Sequence, residues 1–460
     1  MTAAVDAFVT HARETEWSTL TPKAQASIKT FLLDTIGVGV AGSVAPLTQP
    51  IRDVAGAGAH ISGGAAHLLG GGSGRPADAA FVNGFQIHCQ EFDCVHEPAV
   101  VHPMATILAT LMATADARGD VSGGAFGAAL SVAVDCAAGL GAAVKSPLKF
   151  FRPATAGIFG ATLGACMLRR LGAEDMRNAL GYALAFCSGT MQSHLEGKPA
   201  LPVQIANAAA NAVRASELAQ LGVAGPHDVF EGPFGYLTLF EDKWDLAPVI
   251  ANLGAIERIT EVSHKPFPTG RAAQGGIVLM GKLREQGVTL ETAKAITLTA
   301  PPLIERLVGR PIKSDMDANY ARLCFQHIGG VALQSGTVGL DDFDEESLRD
   351  PAILGFGPRI SVVSDGSGDP AAFTPQTVTA NLTSGERVTA RIDTLFGAPA
   401  DPLTPAQNEA KFRTCIAARF EGDRGTGIAD RLITEIAQLE TLEDVRILSR
   451  IAAGIEKDPT

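Results

Sequence analysis

Ala156-Gly-Ile-Phe-Gly-Ala-Thr-Leu-Gly-Ala165 is a run of small residues broken only by a few large apolar ones. A helix with such a face lets a neighbouring helix approach closely. The same texture extends on both sides. Helical periodicity marks residues about 78–91, 104–117, 123–143, 156–171, 174–193 and 205–221, and few alternating β-branched runs interrupt them. The pattern predicts a compact all-helical bundle rather than βαβ units, and excludes a dinucleotide-binding Rossmann unit. Upstream, Thr21-Pro22 supplies a cap and a first-turn proline for a helix over about 21–42. The Gly-rich sequence from Gly56 to Gly74 comes next. Its Gly70-Gly-Gly-Ser-Gly74 lacks the Lys-Ser/Thr of a phosphate loop and reads as a flexible turn.

The texture changes after about residue 260. A helix at about 270–286 precedes strand-like segments at 295–299, 359–363, 376–381 and 387–392. The last two alternate and are joined through Thr383-Ser-Gly-Glu386, which predicts an antiparallel hairpin. Helical sequence returns at Thr404-Pro405, and Thr441-Leu-Glu-Asp444 offers a capping-type start for a final helix. The fold class expected is mainly α: a large, discontinuous helical domain (1–264 and 399–460) with a smaller α+β lid domain (265–398).

A length of 460 residues itself favours more than one core. The net charge of −12 and the absence of a Lys/Arg stripe argue against nucleic acid as a partner. The most apolar run, Gly124 to Val144, contains Asp135 and many small residues, so it reads as a buried helix rather than a membrane span. The amino terminus lacks the features of a secretory signal, which points to the cytoplasm. Seven scattered cysteines without Cys-x-x-Cys pairs read as reduced thiols.

Ionisable groups crowd in His88-Cys-Gln-Glu-Phe-Asp-Cys-Val-His-Glu-Pro-Ala-Val-Val-His-Pro103. His102 directly precedes a helix, whose positive end favours a neutral imidazole able to accept a proton. The alternative is that His102 simply caps that helix. Glu91 and Asp93, if desolvated together, are expected to titrate as a coupled pair with one retaining a proton; the alternative is a pair of solvated carboxylates. A metal held by His88, Glu91, Asp93, His96 and His102 is a further possibility, although the spacing matches no motif of fixed metal geometry. Cations for a carboxylate come from Ser263-His-Lys-Pro-Phe-Pro-Thr-Gly-Arg271, with Lys265 and Arg271, and from Arg152 and Lys198 beside other helix starts. For each of these cations alone, an ordinary surface ion pair is the favoured account.

Together these stretches resemble the MmgE/PrpD family along nearly the whole chain. The resemblance rests on Ala79-Ala-Phe-Val-Asn-Gly84, the His88 to Pro103 stretch, Phe230-Glu-Gly-Pro-Phe-Gly-Tyr236, the Lys265 turn, Ala318-Asn-Tyr with the segment to Phe343, and Pro402 to Phe412. It implies the two-domain architecture, a homodimer, no metal or organic cofactor, and chemistry at carbon next to a carboxylate. The departures are specific. His88-Cys-Gln-Glu-Phe-Asp-Cys94 stands for His-x-Leu-Asp-Phe-Asp-Asp; Arg152 stands where His-Pro is expected, Leu201 for a lysine, Gln274 for a histidine and Cys324 for a tyrosine. These losses argue against cis-aconitate and 2-methylcitrate as substrates.

The function expected is therefore a cofactor-independent lyase of the dehydratase type acting on a small di- or tricarboxylate. An epimerase, isomerase or decarboxylase is the alternative, and a non-catalytic binding protein on the same fold a third. Glu91, Asp93, His102 and Lys265 form the expected catalytic set. His96, Arg152, His194, Lys198, Arg271, Gln274 and Cys324 form the expected substrate-binding set, with no membrane partner.

Overall fold

The structure is a computed structural model that describes residues 3–56, 66–369 and 371–455. Its first layer is helical. The helix Pro22–Gly42 opens with Thr21 accepting a hydrogen bond from Ala24 N and with Pro22 in the first turn. The helices Pro76–His88, Pro103–Arg118, Gly123–Ala142, Gly157–Leu168, Ala173–Phe186 and Ala200–Gln220 succeed it. Small residues make their close crossings possible. A Cβ at Gly160 would lie 2.2 Å from Ala133 O, and one at Gly42 would lie 1.9 Å from Gln86 O, in the last turn before His88. Gly123–Ala142 has the length and composition to cross a membrane, but 89% of its apolar window is buried among other helices.

Two large apolar cores organise the described residues, with a small third cluster of Val38, Ala41, Phe92 and Cys415. One joins residues from Ala4 to Val262 with a carboxyl-terminal group that includes Phe412, Ile416, Leu432 and Ile451. The discontinuous helical part is thus a single packed body, with Phe412 against Gly37 of the helix Pro22–Gly42. The other core gathers residues from Ala272 to Ala398 around a four-stranded sheet. In that sheet Ala293–Ala300 pairs parallel with Ile360–Ser364 and antiparallel with Gln376–Leu382, which forms the expected hairpin with Arg387–Ile392. The helices Arg271–Glu285 and Phe325–Ser335 cover this sheet. The two cores interleave at their seam: Leu323 belongs to the first and Leu148 to the second.

Two local expectations are corrected and a third is met. The helix expected over 174–193 ends at Phe186; Gly189 then adopts φ +132°, Thr190 bridges to Phe150, and a short helix resumes at Gln192. The final helix runs Arg446–Ala452, because Thr441 closes a 3-10 turn and Asp444 instead accepts from Arg446 N at 3.0 Å. Gly70, Gly71 and Gly72 all take positive φ between the short antiparallel strands Ala66–His67 and Ser73–Gly74. That is a turn, as expected, though residues 57–65 of the same stretch lie outside the described residues.

Candidate active site

The helix Pro76–His88 delivers His88 at its last turn, and the chain then folds back sharply at Glu91, whose φ is +51°. Two short antiparallel bridges fix the path of the chain beyond Glu91. His96 pairs with Val101, returning the chain so that His102 stands at the N-cap of Pro103–Arg118, and Val95 pairs with Ser263. Continuing the Val95–Ser263 register sets Asp93 opposite Lys265. A cluster results that local sequence alone does not build.

At its centre is Asp93, fully buried. Its Oδ2 lies 3.1 Å from His102 Nδ1, and its two oxygens lie 3.1 Å from His88 Nδ1. The two imidazoles meet edge to face with centroids 4.9 Å apart. Lys265, also fully buried, donates from Nζ to Glu91 Oε2 at 2.8 Å and to Glu91 O at 3.1 Å, and lies 3.6 Å from Asp93 Oδ1. His88 Nε2 stands 3.7 Å from Glu91 Oε1. His102 makes no side-chain cap to its helix; its ring is turned to Asp93 instead.

The electrostatics separate the two histidines. Burial lowers the pKa of His102, and the Lys265 ammonium adds to that, outweighing Asp93. Burial also opposes charge on His88, but the carboxylates of Asp93 and Glu91 win and raise it. The neutral His102 expected from helix position is thus reproduced, chiefly by desolvation. The proton shared by Glu91 and Asp93 is not. Burial would favour protonation, yet Lys265, with the histidines, holds Glu91 down at about 2, and His88 and His102, with Lys265, hold Asp93 well below the usual range. Both are ionised at neutral pH, so neither stores an acidic proton.

Glu91 and His102 face a cavity at the seam between the two cores, together with His194, Arg271 and apolar side chains such as Phe151, Met191, Leu201 and Phe373. The expected substrate-binding residues divide here. His194 lines the cavity, and burial with Arg310 nearby lowers its pKa to about 4, so it is a neutral hydrogen-bonding group. Arg271 also lines it while paired with Glu97 at 2.7 Å and bonded to the carbonyls of His264 and Phe396.

The others are placed elsewhere. Arg152 is turned away into a buried two-point pair with Glu241, at 2.8 and 3.2 Å, so it is not a free carboxylate clamp. His96 bonds Glu261 at 2.8 Å. Gln274 is spent on Phe267 and Thr269, holding the proline turn that carries Lys265. The Cys324 thiol is bonded to Arg310 O and pushed up to about 11 by burial. Lys198 is exposed and lines the smaller cavity behind His88 rather than the one that Glu91 and His102 face. Sequence reasoning missed Arg322, which is buried beside that smaller cavity and donates to Gln90 O and Pro268 O. Its only sequence signal was membership of the segment after Ala318-Asn-Tyr.

Comparison with known proteins gives the family. Residues 6–248 match the MmgE/PrpD N-terminal domain and residues 267–434 the MmgE/PrpD C-terminal domain. The chain belongs to the MmgE/PrpD family. Among curated relatives, it is similar to cis-aconitate decarboxylase of Mus musculus, at 24% identity over 93% of this chain and 88% of that protein. Cis-aconitate decarboxylase of Homo sapiens is 25% identical over 95% of this chain and 91% of its own length. In this MmgE/PrpD protein, His88, Asp93 and His102 offer ligand atoms within 4.8 Å of one another. They match a two-histidine, one-carboxylate set in donor type. Both Nδ1 atoms, however, are engaged by Asp93, and an entering cation would meet the Lys265 ammonium 3.6 Å from the same carboxylate.

Proposed function

We propose that this protein is a cofactor-independent lyase of the dehydratase type that moves a proton at a carbon next to a carboxylate of a small organic acid. The observation that carries the reading is the Asp93-centred arrangement. One carboxylate orients two histidines of opposite protonation tendency, and the neutral one, His102, borders the cavity. With Nδ1–H donated to Asp93, His102 presents Nε2 as the base.

In the proposed step, His102 Nε2 takes the proton from the carbon. The electron pair left behind delocalises onto the substrate carboxylate, where cationic groups stabilise it. A hydroxyl on the adjacent carbon leaves as water after receiving a proton through Glu91, drawn from His88. One proton enters His102 and one leaves the Glu91–His88 pair, so substrate yields alkene and water with charge conserved. Decarboxylation is the second reading, favoured by the similarity to relatives named cis-aconitate decarboxylase. There the carbon–carbon bond breaks to release carbon dioxide, and the resulting carbanion takes a proton from the same cluster.

Arg152 is committed to Glu241 and Arg271 to Glu97, which leaves few cations for a tricarboxylate. The cavity is otherwise mostly apolar. A substrate with one or two carboxylates and a short hydrocarbon part fits this balance best. Incubation with a panel of hydroxylated and unsaturated acids, cis-aconitate included, tests the reading by NMR. Alkene formation from a hydroxy acid supports dehydration, and carbon dioxide release supports the second reading. Turnover of no acid in the panel contradicts both.

A further inference from the structure

The backbone carbonyls of Gln90, Glu91 and Phe92 are consecutive, and each accepts a hydrogen bond from a different buried cation. Arg322 Nη1 reaches Gln90 O at 3.1 Å, Lys265 Nζ reaches Glu91 O at 3.1 Å, and Lys411 Nζ reaches Phe92 O at 2.9 Å. All three side chains are more than nine-tenths buried. They come from three separate parts of the chain: Arg322 lies just beyond a short helix of the α+β part, Lys265 lies in the proline turn, and Lys411 sits in the helix Pro405–Ala417. Between the first and third carbonyls lies Glu91 at φ +51°, a conformation that a non-glycine residue keeps only when its surroundings impose it.

Lys265 touches the carboxylates directly; the other two cations do not. Lys411 is anchored by Asp34 at 2.7 Å and lies over the Phe92 ring at 4.1 Å. Arg322 spends the same Nη1 on Pro268 O at 2.8 Å, which ties the 90–92 turn to the turn carrying Lys265. Burying a cation costs several kcal/mol even in a pair. A backbone turn that needed only satisfied carbonyls would be served by neutral donors.

We propose that Arg322 and Lys411 are positioning residues, which clamp the 90–92 turn from opposite ends so that Glu91 and Asp93 stay in register with Lys265 and His102. This rests on the proposed function, in that the register is taken to serve turnover. The prediction is that loosening either end lowers kcat and leaves substrate binding nearly intact, since neither side chain lines the main cavity.

The test uses Arg322→Met and the double variant Lys411→Met/Asp34→Asn, which removes the buried pair without stranding one charge. Arg322→Lys and Lys411→Arg, which keep the charge and its partners, are made alongside as milder changes should the first two fail to fold. Against the acid turned over by the wild type, kcat is expected to fall about 10²-fold, and about tenfold in the milder variants, with KM within about threefold. Hydrogen exchange of peptides covering 89–95 is expected to quicken relative to the helices Gly123–Ala142 and Gly157–Leu168. Unchanged kcat in folded variants, or a rise in KM alone, overturns the proposal. If the wild type turns over no acid, the functional reading fails by itself. The exchange measurement then judges the clamp: unchanged protection over 89–95 overturns it.

Discussion

Asp93 decides what each neighbouring side chain can do. By taking Nδ1 of both His88 and His102 it fixes one ring toward Glu91 and leaves the other with a free Nε2. The directions of the two shifts set the pH dependence. His102 must be neutral to act as base, and its pKa lies below the ordinary value of about 6.5. Activity should therefore persist below that pH and fall only as His102 gains its proton. His88, raised above the same value, loses its proton on the alkaline side and sets the other limb. A bell-shaped kcat/KM profile with an acid limb below about pH 6.5 is expected; an acid limb at or above that value would contradict the assignment of His102. The sequence made His88, Glu91, Asp93 and His102 visible because they fall within one short stretch. It misjudged Glu91 because the cation that chiefly ionises it, Lys265, arrives from 174 residues away. For the same reason Arg152 read as available: its partner Glu241 is 89 residues distant.

The helices were legible wherever period and caps agreed. Thr21-Pro22 and Thr404-Pro405 both mark observed helix starts, and Thr404 forms a capping box with Gln407. The break after Phe186 was not legible, since it depends on Gly189 and on pairing between Thr190 and Phe150. The small-residue faces were legible as close packing, and the structure identifies which glycines are indispensable. Gly160→Ala would force a methyl to 2.2 Å from Ala133 O and 2.9 Å from Ala137 Cβ. Overpacking of this kind typically costs about 1–3 kcal/mol. A lower melting temperature is expected, together with nearly normal turnover by the folded fraction, because Gly160 lies outside the cluster. An unchanged melting temperature would mean that the crossing is looser than described.

At the scale of the molecule, the cavity exists because two apolar cores meet without merging, and Arg271 and Glu97 pair across that seam. Glu97 is one-fifth exposed while the Arg271 side chain is almost wholly buried, at 20% and 2%. A substrate carboxylate reaching Arg271 therefore competes with Glu97. Glu97→Gln should tighten binding of a carboxylate ligand by about tenfold, the scale of one charge-assisted hydrogen bond, as read by calorimetry; unchanged affinity would remove Arg271 from the binding set. Whether His102 moves a proton at carbon can be read in deuterated water. Wild-type protein and His102→Asn are each incubated with the acid that is turned over, and deuterium on the substrate and product carbons is followed by NMR. Incorporation into recovered substrate by the wild type is expected, as solvent deuterium on His102 returns to the carbanion, with incorporation by the variant at least about 10²-fold slower and closely similar melting temperatures. Equal incorporation by a folded His102→Asn would contradict that role for His102.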